Sequence, residues 1–225
     1  ALLDEPWFFT SIGNHELMFI DYLKSINAPN DSKLKEAAEL FIYNGGEWAL
    51  DEPGSYINRI PELLNRLAQL PLILTVETRN NTRFHVTHGD LLFQRNVLLT
   101  DKDIEQMETL IDSEAEALEG MTARQVMQQG PWSRRLFSHS ENYQGIQEAE
   151  GLSRVYVGHS ISKQPKLIAS HLFIDAGAYM NYAKRDVGSG YGLNLVDHLE
   201  GLIHRMDRVR SQPKIVTGCI PQVLT

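Results

Sequence analysis

The hydrophobic period of this chain changes at Leu70-Pro71, and that change limits the folds open to it. Before it, Leu17, Ile20 and Leu23 interleave with Asp21 and Lys24 at helical spacing, which predicts a helix over 16–25. A second helix is expected near 33–40. A third, on Ile57, Ile60, Leu64 and Leu67, is closed by Leu70-Pro71. Asn44-Gly45-Gly46 demands a turn, and 7–12 reads as a short buried strand. After the change, strands are expected at 72–76 and 83–87 across the polar turn Arg79-Asn80-Asn81-Thr82. Thr100 is placed to cap a helix over 101–118, with Ile104, Met107, Ile111 and Leu118 facing inward. Further strands are expected at 154–157, 166–169, 171–175, 191–196 and 201–205, the last two as a hairpin over Asp197-His198-Leu199-Glu200. Helices followed by clustered strands predict a layered α/β domain.

Composition removes several classes of function. With 42% hydrophobic and 22% charged residues among 225, the chain can bury a core. A net charge of −8 argues against sequence-independent nucleic-acid binding, which needs a basic face. The one cysteine, Cys219, excludes an intrachain disulfide framework. Asp4 and Glu5 interrupt the opening apolar residues, so no secretory signal is read there. No apolar stretch approaches the roughly 20 residues that cross a bilayer. The expectation is a cytoplasmic protein that binds neither nucleic acid nor membrane.

Three short stretches share one pattern, an apolar run that ends in a side chain of metal-ligand type. They are Ile12-Gly13-Asn14-His15-Glu16, Val86-Thr87-His88-Gly89-Asp90 and Val155-Tyr156-Val157-Gly158-His159-Ser160. Strand ends place such side chains at the rim of a sheet, where α/β sites are built. Asparagine offers a carbonyl oxygen and histidine a neutral imidazole, both suited to Mn, Fe or Zn. Singly, each has a plainer reading, a turn or a structural histidine; the ordered set carries the argument. No serine sits in a Gly-x-Ser-x-Gly elbow, so a serine hydrolase is not supported.

The order Gly-Asn-His-Glu, His-Gly-Asp, Gly-His-Ser and Ile174-Asp175-Ala176-Gly177-Ala178 resembles the later motifs of calcineurin-like metallophosphoesterases. Asn44-Gly45-Gly46-Glu47-Trp48 and Pro131-Trp132-Ser133-Arg134 bring the resemblance closest to bacteriophage-lambda-type serine/threonine protein phosphatases. It spans roughly residues 7–178. It implies a layered α/β fold, the αββα sandwich of those enzymes lacking its N-terminal strands, with 1–210 as a partial phosphoesterase domain and 211–225 as a C-terminal tail.

The resemblance also implies roles. Asn14, His88 and His159 would bind a metal ion, His15 would protonate the leaving alkoxide, and Arg134 would grip phosphoryl oxygens. Two divalent ions are implied, Mn first and Fe, Zn or Ni as alternatives, bridging a water that attacks phosphorus directly. The substrate would be a phosphorylated protein or a small phosphoester. Two earlier family motifs, Gly-Asp-x-His-Gly and Gly-Asp-x-x-Asp-Arg-Gly, are absent from the sequence, and Ile12 stands where the family commonly has arginine. The expectation is therefore an incomplete piece of the enzyme, with little or no turnover of its own. Two other readings stay open: a nucleotide phosphohydrolase of the diadenosine-tetraphosphate type, and an inactive remnant that binds a metal or a partner.

Overall fold

Gly13, at φ −107°, opens the first helix because Glu16 folds its carboxylate back to accept the Gly13 N–H at 2.9 Å. That helix, α1 (Asn14–Asn27), stops at Ala28, which precedes Pro29 and leaves the helical region. Asp31 then caps α2 (Ser32–Phe41) by accepting the N–H groups of Lys33 and Leu34 at 3.0 and 3.2 Å. The computed structural model describes residues 4–51, 54, 56–93, 98–110, 116–118, 120–183, 190–209 and 212–220, in two compact units, 1–74 and 75–225.

In the first unit α2 widens into a π-type turn, Ile42–Gly46, in which Gly45 takes φ 97°, a conformation glycine adopts without penalty. The short α3 (Trp48–Asp51) and α4 (Ile60–Ala68) complete it. Met18, Leu23, Phe41, Ala49, Tyr56 and Ile60 form its buried core. The Tyr56 hydroxyl donates to Ala49 O at 2.6 Å, and burial pushes its pKa upward. The strand expected at 7–12 is not formed. Trp7 and Phe9 are exposed, while Ile12 is buried and donates its N–H to Pro71 O at 2.8 Å.

The second unit contains β1 (Ile73–Glu77) from Thr75 onward, and β2 (Arg83–Thr87). Then come α5 (Asp101–Leu110), the two-stranded β3 (Glu116–Leu118) and β4 (Met121–Thr122), α6 (Ala123–Gln129) and α7 (Arg135–Ser138). The chain returns to the sheet through β5 (Arg154–Val157), β6 (Lys166–Ile168) and β7 (His171–Phe173). After α8 (Ala178–Ala183) comes a meander of β8 (Gly192–Asp197), β9 (Leu202–Val209) and β10 (Gln212–Cys219).

The main sheet has the order β1-β2-β5-β7-β6, with β2, β5 and β7 parallel and β6 antiparallel to β7. Ala169 and Ser170, both at positive φ, make the tight β6–β7 turn. Side chains alternate across this sheet. Tyr156 and Leu172 pack with Ile203 and Ile220, so the meander covers one face. His85, Val155, His171 and Phe173 occupy the other, where Phe137 meets Phe173 edge to face and Asp101 meets His85. The fold is mixed α/β with a mixed sheet, as the alternation of periods predicts.

Two expectations change here. The helix expected over 101–118 ends at Leu110, and Glu116–Leu118 pair with β4 as a strand. Ile111 lies outside the described residues. β10, in the segment read as a tail, pairs along its length with β9.

Candidate functional site

β2 and β5 are adjacent parallel strands, and their last residues, Thr87 and Val157, stand opposite each other. The next residues along each strand, His88 and Gly158-His159, therefore leave the sheet side by side at its carboxyl edge. His159 adopts φ 55°, and Ser160 N–H closes on Gly158 O at 2.5 Å. Such backbone in a non-glycine residue costs about 1–3 kcal/mol and is characteristic of functional sites. The two imidazoles meet there, His88 Nε2 lying 3.2 Å from His159 Nδ1.

A second segment closes the site. Gly89 lies against the 3₁₀ turn Gly130–Trp132, where a Cβ would stand 2.1 Å from Gly130 O. Asp90, fully buried, organises the chain from Ser133 to Phe137. Its Oδ1 accepts the Ser133 hydroxyl at 2.7 Å, and its Oδ2 accepts the N–H groups of Leu136 and Phe137 at 3.0 and 3.3 Å. Between these anchors stands Arg134, whose Nε–H donates to His159 Nε2 at 2.9 Å. That bond assigns the His159 proton to Nδ1, which donates to His88 Nε2, so a guanidinium and two imidazoles form one chain.

Two other buried histidines carry structure rather than chemistry. His171 donates from Nδ1 to Ala169 O at 2.8 Å and accepts the Leu91 N–H at 3.2 Å; burial holds its pKa down at about 4. His85 contacts Asp101 at 3.0 Å. Burial alone would raise the Asp101 pKa, but hydrogen bonds from Ser153 and His85 outweigh it and hold the carboxyl low. Asp175 turns on itself, accepting the Gly177 N–H at 2.8 Å. His198 accepts or donates at the Tyr156 hydroxyl, 2.7 Å away, and stacks on Phe84.

The pair His88 and His159 suits a shared cation in one respect. Two nitrogens at metal–nitrogen distances of about 2.1 Å, bound to one ion at tetrahedral or octahedral angles, stand about 3.0–3.4 Å apart. The observed 3.2 Å falls within that range. Among the described residues no group of three or more His, Cys, Asp or Glu side chains completes a metal site.

Comparison with known proteins bears on this arrangement. Serine/threonine-protein phosphatase 2 of Escherichia coli (strain K12) is 22% identical over 179 residues, covering 79% of this chain and 65% of that protein. Serine/threonine-protein phosphatase 2 of Salmonella typhimurium (strain LT2) is 29% identical over 89 residues, 40% of this chain and 36% of its own length. The chain is similar to bacterial protein phosphatases. No protein-family model matches it. The similarity agrees with the resemblance to lambda-type phosphatases. The chain spans less than two thirds of the length of either phosphatase.

Of the five residues singled out by that resemblance, His88, His159 and Arg134 are brought together in the second unit. Asn14 and His15 are the first two residues of α1, in the first unit. Sequence reasoning places Asp90 and Ser133 within motifs and assigns neither a role. The signal available was a carboxylate two residues past a candidate ligand. Among the described residues no helix is long and apolar enough to cross a membrane.

Proposed function

We propose that this chain serves the metal-dependent hydrolysis of phosphate monoesters, with phosphorylated serine and threonine side chains of proteins as substrates. The observation that carries the reading is the chain of contacts Arg134–His159–His88 at the carboxyl edge of β2 and β5. Similarity to serine/threonine-protein phosphatases supports it.

His88 and His159 would hold the divalent ion, with Asn14 as the proposed amide ligand; two ions, Mn first and Fe, Zn or Ni as alternatives, are the full complement. When bound, such ions supply a water of lowered pKa and positive charge for the phosphoryl oxygens. His88 Nε2 and His159 Nδ1 would take the ion in exchange for the proton between them. Arg134 commits its Nε to His159, so its two terminal nitrogens remain for a bidentate grip on phosphate. That grip strengthens as charge spreads over the equatorial oxygens during transfer. His15 is the proposed acid for the leaving oxygen, as imidazolium.

The test compares a phosphoserine peptide, its unphosphorylated form and a dinucleoside tetraphosphate, with Mn²⁺ added or chelated. Anisotropy reads binding and phosphate release reads turnover. The expected result is phosphate-dependent peptide binding that Arg134→Ala weakens about tenfold or more. Tighter binding or faster hydrolysis of the dinucleotide would transfer the assignment to nucleotide phosphohydrolysis. Equal binding of both peptide forms would sink the phosphatase reading.

A further inference from the structure

Arg134 does not stand alone on its face of the second unit. Beside it opens a pocket of about 670 Å³, bounded by Phe93, Gln128, Gln129, Trp132, Arg134 and Arg135. Its wall is formed by α6, the turn Gly130–Trp132 and the start of α7. Asp90 holds that wall in place through Ser133, Leu136 and Phe137.

The chemistry of the lining is one-sided. Two adjacent guanidinium groups contribute to it, and no aspartate or glutamate lines it among the described residues. Both arginines are exposed, and among the described residues neither is ion-paired. This local surplus occurs on a chain of net charge −8, whose overall field favours cationic partners. Gln128 and Gln129 add carboxamides that both donate and accept, as an extended peptide backbone requires. Trp132, 41% exposed, adds an apolar face.

We propose that this pocket receives the residues flanking the phosphorylated side chain, and that Arg135 selects acidic side chains among them. The inference rests on the phosphoprotein reading of the site. Arg134 engages the phosphate and Arg135 the neighbouring carboxylate. Two vicinal arginines thus read two anions on one strand of substrate. A dinucleoside polyphosphate also offers two anions, so it enters the test as a competitor.

The experiment is a fluorescence-anisotropy titration of the 225-residue chain with three phosphoserine peptides that differ in their flanks: glutamate, alanine or lysine. Unphosphorylated forms and a dinucleoside tetraphosphate serve as competitors. The glutamate-flanked peptide should bind about fivefold more tightly than the lysine-flanked one, a difference that high salt shrinks. Arg135→Glu should invert the order, and Arg135→Gln should bring the peptides level. Thermal melts check that both variants are folded, as expected for substitutions at an exposed position. Flank-independent binding that still requires phosphate would overturn the pocket assignment alone. So would an acidic preference unchanged in both variants. Binding indifferent to phosphate would overturn the phosphoprotein reading with it. Stronger competition by the dinucleotide than by the acidic peptide would give the pocket to a nucleotide instead.

Discussion

The carboxylate of Asp90, closed to solvent, accepts the hydroxyl of Ser133 at 2.7 Å, joining two motifs that lie far apart in the chain. The same carboxylate receives the Leu92, Leu136 and Phe137 N–H groups, so four donors converge on one side chain. Asp90→Ala would take this acceptor from those N–H groups, two of them on the buried Leu92 and Leu136, at a cost of roughly 3 kcal/mol. Ser133→Ala removes one hydroxyl, shared between Asp90 Oδ1 and Leu92 O, and should cost about 1 kcal/mol. Urea unfolding of both variants gives the comparison. Equal losses would show that Asp90 does not organise the segment through its several bonds.

Gly89 makes the same junction by shape. A Cβ there would stand 2.1 Å from Gly130 O and 3.0 Å from the Ser133 backbone, and neither is a flexible side-chain end. Gly89→Ala must therefore displace the 130–134 segment, at about 1–3 kcal/mol. Because Arg134 rides on that segment, its hold on phosphate should weaken as well. A peptide-binding titration alongside the unfolding curve checks this; full stability with full binding would contradict the packing argument.

These two contacts also mark where sequence reading succeeds and stops. His88 and His159 were legible because each stands within two residues of the end of a short strand-like run, and adjacent parallel strands bring such ends together. Asp90 was visible as a letter but not as an anchor, since its partners belong to a segment more than forty residues on. The helix expected to run to Leu118 shows the opposite error. Apolar spacing continues past Leu110, yet Gly120 at φ 82° allows β3 and β4 to pair instead. Helix α6 was missed although its start is written in the chain. Thr122 accepts the Gln125 N–H while Gln125 returns the bond to Thr122 N–H at 2.9 Å. At 7–12, apolar residues suggested a buried strand; Trp7 and Phe9 are exposed, so composition alone misled.

His171 ties stability to pH. Burial holds its pKa at about 4, below the ordinary 6.5, so the folded chain resists a proton that the unfolded chain accepts. Stability is then fully present above about pH 6.5 and is lost as pH falls toward 4, by ~3 kcal/mol. The lowered pKa of Asp101 acts in the same direction, mainly at more acidic pH. His171→Gln should lower stability at neutral pH and flatten its dependence between about pH 6.5 and 4.5. Urea midpoints across that range decide it. An unchanged slope would place the titrating group elsewhere.

The contact between Arg134 and His159 leads to a prediction about metal affinity that runs against simple expectation. Arg134 Nε–H donates to His159 Nε2 at 2.9 Å, which keeps the His159 proton on Nδ1. A divalent ion shared with His88 needs the Nδ1 lone pair, so the proton must move to Nε2 or leave the ring. A move to Nε2 takes the acceptor from Arg134, and in both cases a fixed positive charge stands beside the incoming cation. Removing the guanidinium should therefore help the ion while harming phosphate. Arg134→Ala is expected to bind Mn²⁺ about five- to tenfold more tightly than the parent chain in the absence of phosphate. His88→Ala and His159→Ala should each abolish that binding. Calorimetric titration in two buffers of different ionisation enthalpy reads both the affinity and the proton released on binding. If Arg134→Ala binds Mn²⁺ no better than the parent, the guanidinium does not oppose the ion and the Nδ1 lone pair is not what the ion takes.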